Sequence, residues 1–141
     1  MRTVKEKLLL HWLFPAFMLY LVSLPGMVSA GKFKYYFSQS EIEENSATKM
    51  KLLNAALTEW VPEDGNADKS LAYVDCGQLF MRYEYCQKGF DDFNSALAFA
   101  SGNFPVIYMN RGAANACMLR YDAALRDYAK AAKDPDPVNA A

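Results

Sequence analysis

The sequence predicts an all-α fold of helical hairpins stacked in series, and three observations lead there. Tyr73, Gly77, Asp92, Phe93 and Ala96 recur as Tyr108, Gly112, Asp127, Tyr128 and Ala131, a constant offset of 35 residues. A period of about 20–50 residues marks repeated units that stack on one another and bury a shared interior. Short breaks also divide residues 69–133 into four stretches of helical length, and such brief connections force successive helices to pack antiparallel. Finally, 141 residues with 52% hydrophobic content hold one small folded unit, and no segment is low in complexity.

The chain opens with a segment that reads as an export signal. Arg2, Lys5 and Lys7 precede an apolar run from Leu8 to Leu24, interrupted only by His11 and Ser23. Pro25-Gly26 then breaks any helix, and Val28-Ser29-Ala30 places small residues one and three positions before Gly31. This is the order of a secretory signal peptide covering 1–30, and Pro15 with the Val-Ser-Ala site favours cleavage. The rival reading is an uncleaved membrane anchor at 8–24, since a run of 17 residues sits at the short limit for a span. Either way the rest of the chain is exported, to the periplasm or outside the cell.

Residues 31–68 form a lead-in and linker. The run Gly31–Phe37 fits a short strand or an ordered lead-in equally well. Ser38 and Ser40, each followed three residues later by Glu41 or Glu43, match a capping box that starts a helix. Ile42, Met50, Leu53, Leu57 and Trp60 lie close to one helical stripe, so the spacing predicts a single helix over 40–60. Val61–Asp68 is rich in turn formers and reads as a linker. Four further helices are predicted at 69–83, 88–100, 105–118 and 121–133, giving two hairpins within 69–137. Asp134-Pro135-Asp136-Pro137 stops the last one, because a residue before proline disfavours the helical conformation. Residues 138–141 are a tail.

Within the repeats, Gly77 and Gly112 allow the helices of a hairpin to approach closely, with Ala96 and Ala131 as the matching small surface. Tyr73, Tyr108, Phe93 and Tyr128 fill the wider gaps between helices. These residues are core, not a cofactor box.

Residues 69–137 resemble a pair of tetratricopeptide repeats (TPR) of the exported bacterial type. The second unit carries the resemblance at Tyr108, Gly112, Ala124, Tyr128, Ala131 and Pro135, with Asn110-Arg111-Gly112 and Tyr121–Leu125 in support. The first matches at Tyr73, Gly77, Phe80, Phe93 and Ala96. It departs where Gly89 replaces an Ala and Cys76 a Leu; in the second unit Arg111 stands at that Leu position and Asn115 replaces a Tyr. The resemblance implies a concave groove lined by the first helices of successive hairpins. Here that groove would be built from Val74, Gln78, Met81, Arg82, Met109, Asn110, Ala113 and Ala116. Two methionines, an arginine and two amides suit an adaptable peptide surface. Some family members clamp a C-terminal carboxylate with Lys and Asn; Asn110 fits one clamp position, but Val74 stands where the Lys belongs.

Other chemistries lose necessary parts. The single histidine, His11, lies in the export segment, which removes His-based catalysis and His-containing zinc sites from the body of the chain. Cys76, Cys86 and Cys117 have no Cys-x-x-Cys spacing, and no Gly-rich phosphate loop is present. Asp91-Asp92 reads as a solvated helix start, since adjacent helical residues point about 100° apart. Beyond residue 30 the chain carries 12 basic and 15 acidic residues with no Lys/Arg block, which argues against nucleic acid. No cofactor or metal is implied. Cys86 and Cys117 fall near the turns inside each hairpin, and a repeat spacing of about 10 Å exceeds the usual disulfide reach of about 4.4–6.8 Å. No bridge between them is therefore expected.

The expected function is that of a non-enzymatic interaction module binding a protein or peptide in its groove. The alternative is a structural subunit packed into an envelope complex through its uncapped helical end. Two repeats fall short of the three that a free-standing array usually needs. The lead-in helix must supply the cap, or the chain must associate with a second copy or a larger partner. Mass spectrometry of the processed protein is expected to show a chain starting at Gly31; an intact Met1 on a membrane-bound product would establish the anchor instead.

Overall fold

The computed structural model describes residues 31–102 and 104–133, so the export segment and the tail lie outside the described residues. Among the described residues there are six α-helices and no strand. They are α1 (Lys32–Ile42), α2 (Ser46–Glu59), α3 (Asn66–Arg82), α4 (Cys86–Phe99), α5 (Pro105–Cys117) and α6 (Tyr121–Ala132). A single 3-10 turn, Pro62–Asp64, precedes α3. None of these helices is long and apolar enough to cross a membrane.

The predicted helix over 40–60 is two helices. Phe33, Tyr36, Phe37 and Ser40 recur at helical spacing, and Phe33 and Ser40 are buried. That stripe makes 32–42 helical, and the strand alternative for 31–37 fails. Ser38 and Ser40 are not caps: inside α1 their hydroxyls donate to the Tyr35 and Phe37 carbonyls at 2.9 and 2.6 Å. The cap is Asn45, whose Oδ1 accepts from the backbone N–H groups of Ala47 and Thr48 at 3.1 and 3.0 Å. Ile42 consequently ends α1 in solvent instead of joining the stripe of α2.

The lead-in is thus a hairpin of its own, and α1/α2, α3/α4 and α5/α6 make three. Packing runs mainly between helices adjacent in the chain, with α3 also touching α5. Two apolar layers result. Phe33, Leu53, Ala56, Ala72, Cys76 and Leu79 join the first hairpin to α3. Val74, Phe93, Ala96, Ile107 and Ala114 join the second hairpin to the third. Trp60 closes the α2–α3 connection: its indole N–H donates to the Gly65 carbonyl at 3.1 Å. The Lys69 ammonium lies 3.6 Å from the Trp60 ring and 4.1 Å from that of Phe99.

The offset of 35 residues reappears as repeated geometry. Glu84 and Leu119 both adopt positive φ, 61° and 60°, just after the first helix of their hairpins. In each turn the next N–H reaches back five residues: Tyr85 donates to Phe80 at 3.0 Å, and Arg120 to Asn115 at 2.8 Å. This is the Schellman way of closing a helix. Similarly, a Cβ on Gly77 would stand 2.5 Å from Phe93 Cε1, and one on Gly112 2.6 Å from Tyr128 Cε1.

Contrary to the expectation from repeat spacing, Cys86 and Cys117 are disulfide-bonded, with Cα atoms 6.0 Å apart. The spacing of whole repeats was the wrong measure. Cys86 opens α4 and Cys117 closes α5, and these two helices are antiparallel neighbours whose ends meet. Closing a loop of this length restricts the unfolded chain by about 3–4 kcal/mol. Cys76 stays a thiol in the first apolar layer, and burial pushes its pKa up to about 12.

The two glycine contacts differ in how far they can yield. Phe93 is fully buried, whereas Tyr128 is 39% exposed and can swing outward. Alanine gains about 1 kcal/mol of helix propensity over glycine, against about 1–3 kcal/mol for overpacking. Gly77→Ala is therefore expected to lower Tm by about 5–10 °C, and Gly112→Ala to leave it nearly unchanged, as read by thermal denaturation.

Candidate functional site

The eight residues proposed for the groove do not form one face. Val74 is only 6% exposed, packed in the second apolar layer, because the third hairpin covers it. Its repeat equivalent Met109 is 56% exposed, since no described helix follows to cover it. Met81 is half-buried, and its side chain lies over Gly89. Gln78 and Arg82 are exposed but turn toward α2. There they line a cavity of about 300 Å³ with Glu43, Glu44 and Asp75, and the Arg82 guanidinium donates to Ser46 Oγ at 3.3 Å. Burial, then Glu41, hold the Asp75 carboxyl above its ordinary range, and Lys49 opposes them. Ala113 and Ala116 are half-buried; so is Asn110, whose Nδ2 is buried without a hydrogen-bond partner.

The large exposed apolar side chains on the first helices of the second and third hairpins are instead Leu71 on α3 and Val106 and Met109 on α5. The helices α3 and α5 touch directly. Leu71 and Val106 were missed as surface residues. Their common offset of 35 is visible in the sequence, but neither is among the predicted groove residues.

A polar network on α5 was also missed. The Arg111 guanidinium donates to both Asp127 oxygens, at 2.9 Å from Nε and 2.6 Å from Nη2, and from Nη1 to Asn94 Oδ1 at 2.8 Å. Asn115 Nδ2 donates to Asp127 Oδ2 at 3.1 Å. Two-pronged guanidinium–carboxylate pairs are the strong form of this contact. The Arg111–Asp127 pair has side chains only 18% and 6% exposed, so removing one partner would strand the other. Arg111 had appeared only as a departure from the repeat pattern. It is what satisfies the repeated Asp.

In the second hairpin the equivalent positions are Cys76 and Asp92. A thiol cannot pair with a carboxylate as Arg does, and Asp92 Oδ2 is buried without a partner. Burial raises the Asp92 pKa to about 6, with the neighbouring Asp91 adding to the shift. Neither is the helix start expected of the pair, since α4 begins at Cys86 with no acidic residue in its first turn; Asp91 is solvated, exposed and accepting from Gln87 Nε2 at 2.9 Å. Tyr73 is raised as well, by burial first and then by Asp92 and Cys76.

No protein-family model, curated protein or solved structure matches this chain. The surfaces themselves therefore carry the functional reading.

The Asp92 carboxyl also sets a pH dependence. Its folded pKa exceeds the ordinary 3.8, so the folded state binds the proton more tightly. The resulting stabilisation is complete below about pH 4 and is lost as pH rises through about 6. Asp92→Asn is expected to flatten this slope and to stabilise the protein at pH 7 by about 1–2 kcal/mol, part of the full shift being screened by solvent. Urea denaturation of both proteins across pH 4–7 measures it, and parallel slopes would contradict the assignment.

Proposed function

We propose that this chain is a non-enzymatic protein–protein interaction module of TPR-like hairpins that binds an extended or helical peptide along its first-helix face. The observation that carries this reading is the exposed apolar stripe of Leu71, Val106 and Met109 on two touching helices. Unbranched methionine beside aliphatic groups adapts to varied partner side chains. A stack with its interior filled by Phe93, Val74 and Ile107 gives that stripe a rigid support, which lowers the ordering cost of binding. Export to the cell envelope or outside belongs to the same proposal. The Cys86–Cys117 bridge supports it, since such bonds persist in oxidising compartments.

A second reading is a structural subunit that packs through the end of the stack. It is favoured by one comparison: Phe93 is covered by the next hairpin, whereas its equivalent Tyr128 and the nearby Leu125 are open to solvent.

Selection of peptides from a displayed library on the folded chain separates the two. The module reading expects enriched peptides whose affinity falls about tenfold or more with Val106→Glu and Met109→Glu, as expected for charge placed in an apolar contact. Leu125→Glu should leave that affinity unchanged. Peptides lost on Leu125→Glu alone would move the site to the end of the stack, and the absence of any enriched peptide would overturn the groove.

A further inference from the structure

A second cavity lies on the other side of the third hairpin, away from the first-helix stripe. Its volume is about 370 Å³, and its lining includes Phe90, one carboxylate, Asp127, and four cations, Arg111, Arg120, Arg126 and Lys130. Arg111 is already consumed by Asp127 and Asn94. Arg120, Arg126 and Lys130 are not: all three are exposed, and no carboxylate among the described residues lies within ion-pair distance of them. Arg120 does reach Gln87 Oε1 at 3.3 Å, and its guanidinium lies 5.7 Å from the Phe90 ring. The cavity thus offers three uncompensated cations around an aromatic wall.

The opposite feature stands at the other end of the stack. Glu41 and Ile42 end α1, and Glu43 and Glu44 follow in the turn to α2, with Ile42 76% exposed between carboxylates. The last turn of α1 has no basic residue. Carboxylates there oppose the helix dipole, which favours cations at a C-terminus. Glu43 Oε1 accepts from the Asn45 N–H at 2.7 Å. Lys49 and Arg82 line the α2–α3 cavity with Glu43 and Glu44 but come within ion-pair distance of neither. The turn is an acidic knob with an apolar tip, and the cavity is a basic hole with an apolar wall.

We propose that the cavity of one chain receives the Glu41–Glu44 turn of a second copy, so that chains associate head to tail. Charge complementarity selects this occupant. The carboxylates meet Arg120, Arg126 and Lys130, and Ile42 lies against Phe90. Because knob and hole are different patches on different hairpins, the contact is heterologous and can extend from copy to copy or close into a ring. It uses neither Val106 nor Met109, so its failure would leave the peptide stripe intact, and the reverse.

Sedimentation analysis across a concentration series, at about 0.01 M and about 1 M salt, tests the proposal. Screening falls from about 30 Å to about 3 Å between these conditions. The chain should gain mass with concentration at low salt and sediment as a monomer at high salt. The double variants Arg126→Glu/Lys130→Glu and Glu41→Lys/Glu44→Lys change only exposed side chains, and circular dichroism checks that each folds. Each alone should associate at least about tenfold more weakly than the parent, and mixing the two should restore association. A parent chain that stays monomeric at low salt overturns the proposal. So does association that survives either charge reversal, or a mixture that fails to recover. A monomer whose cavity binds an unrelated acidic peptide would assign the hole to a different protein and likewise overturn the self-association.

Discussion

The distance between the paired helices of the second and third hairpins is set where Gly77 meets Phe93 and Gly112 meets Tyr128. The buried Phe93 ring leaves no room for a methyl group on Gly77, whereas the more exposed Tyr128 ring would have to swing outward to admit one on Gly112. Everything outward of that contact follows from it. Ala96 and Ala131 occupy the adjacent narrow space, and the helices stay close enough for one αL residue, Glu84 or Leu119, to close each turn. Close approach at these points also aligns α4 with α5, so that Val74, Ile107 and Ala114 form a continuous layer. A non-glycine residue in the left-handed region costs about 1–2 kcal/mol, and this geometry tolerates it twice.

The sequence displayed this part well because it is written twice. Gly77 and Gly112, or Phe93 and Tyr128, announce themselves by recurrence, and the offset of 35 residues survives into dihedral angles and hydrogen bonds. The first hairpin has no such echo. Its signal is the local spacing of Phe33, Tyr36, Phe37 and Ser40, which a capping-box reading of Ser38 and Ser40 obscured. Long-range pairings were the least legible. Arg111 finds Asp127 across a hairpin, and Cys86 finds Cys117 between hairpins. In both cases the residue types were visible, but the geometry that brings them together is a property of packing.

The candidate surfaces follow the same logic of covered and uncovered copies. Val74 and Met109 occupy one repeat position, yet the first is core and the second is surface, because a hairpin follows one and not the other among the described residues. Asp92 and Asp127 also share a position. Arg111 neutralises the second, while Cys76 leaves the first stranded and drives its pKa upward. Repetition therefore supplies the scaffold, and departures from repetition supply what is particular to each face. The basic cavity of the third hairpin and the acidic turn of the first are such departures, since neither has a counterpart at the equivalent place in the second.

The sulfur–sulfur bond between α4 and α5 has a topological consequence. It crosses the boundary between the second and third hairpins, so the loop it closes contains the very connection that would have to open if a terminal hairpin were traded between molecules. Domain swapping of that unit is forbidden while the bond is intact. Under oxidising conditions the third hairpin therefore stays with its own chain, and reduction would be the step that releases it for exchange.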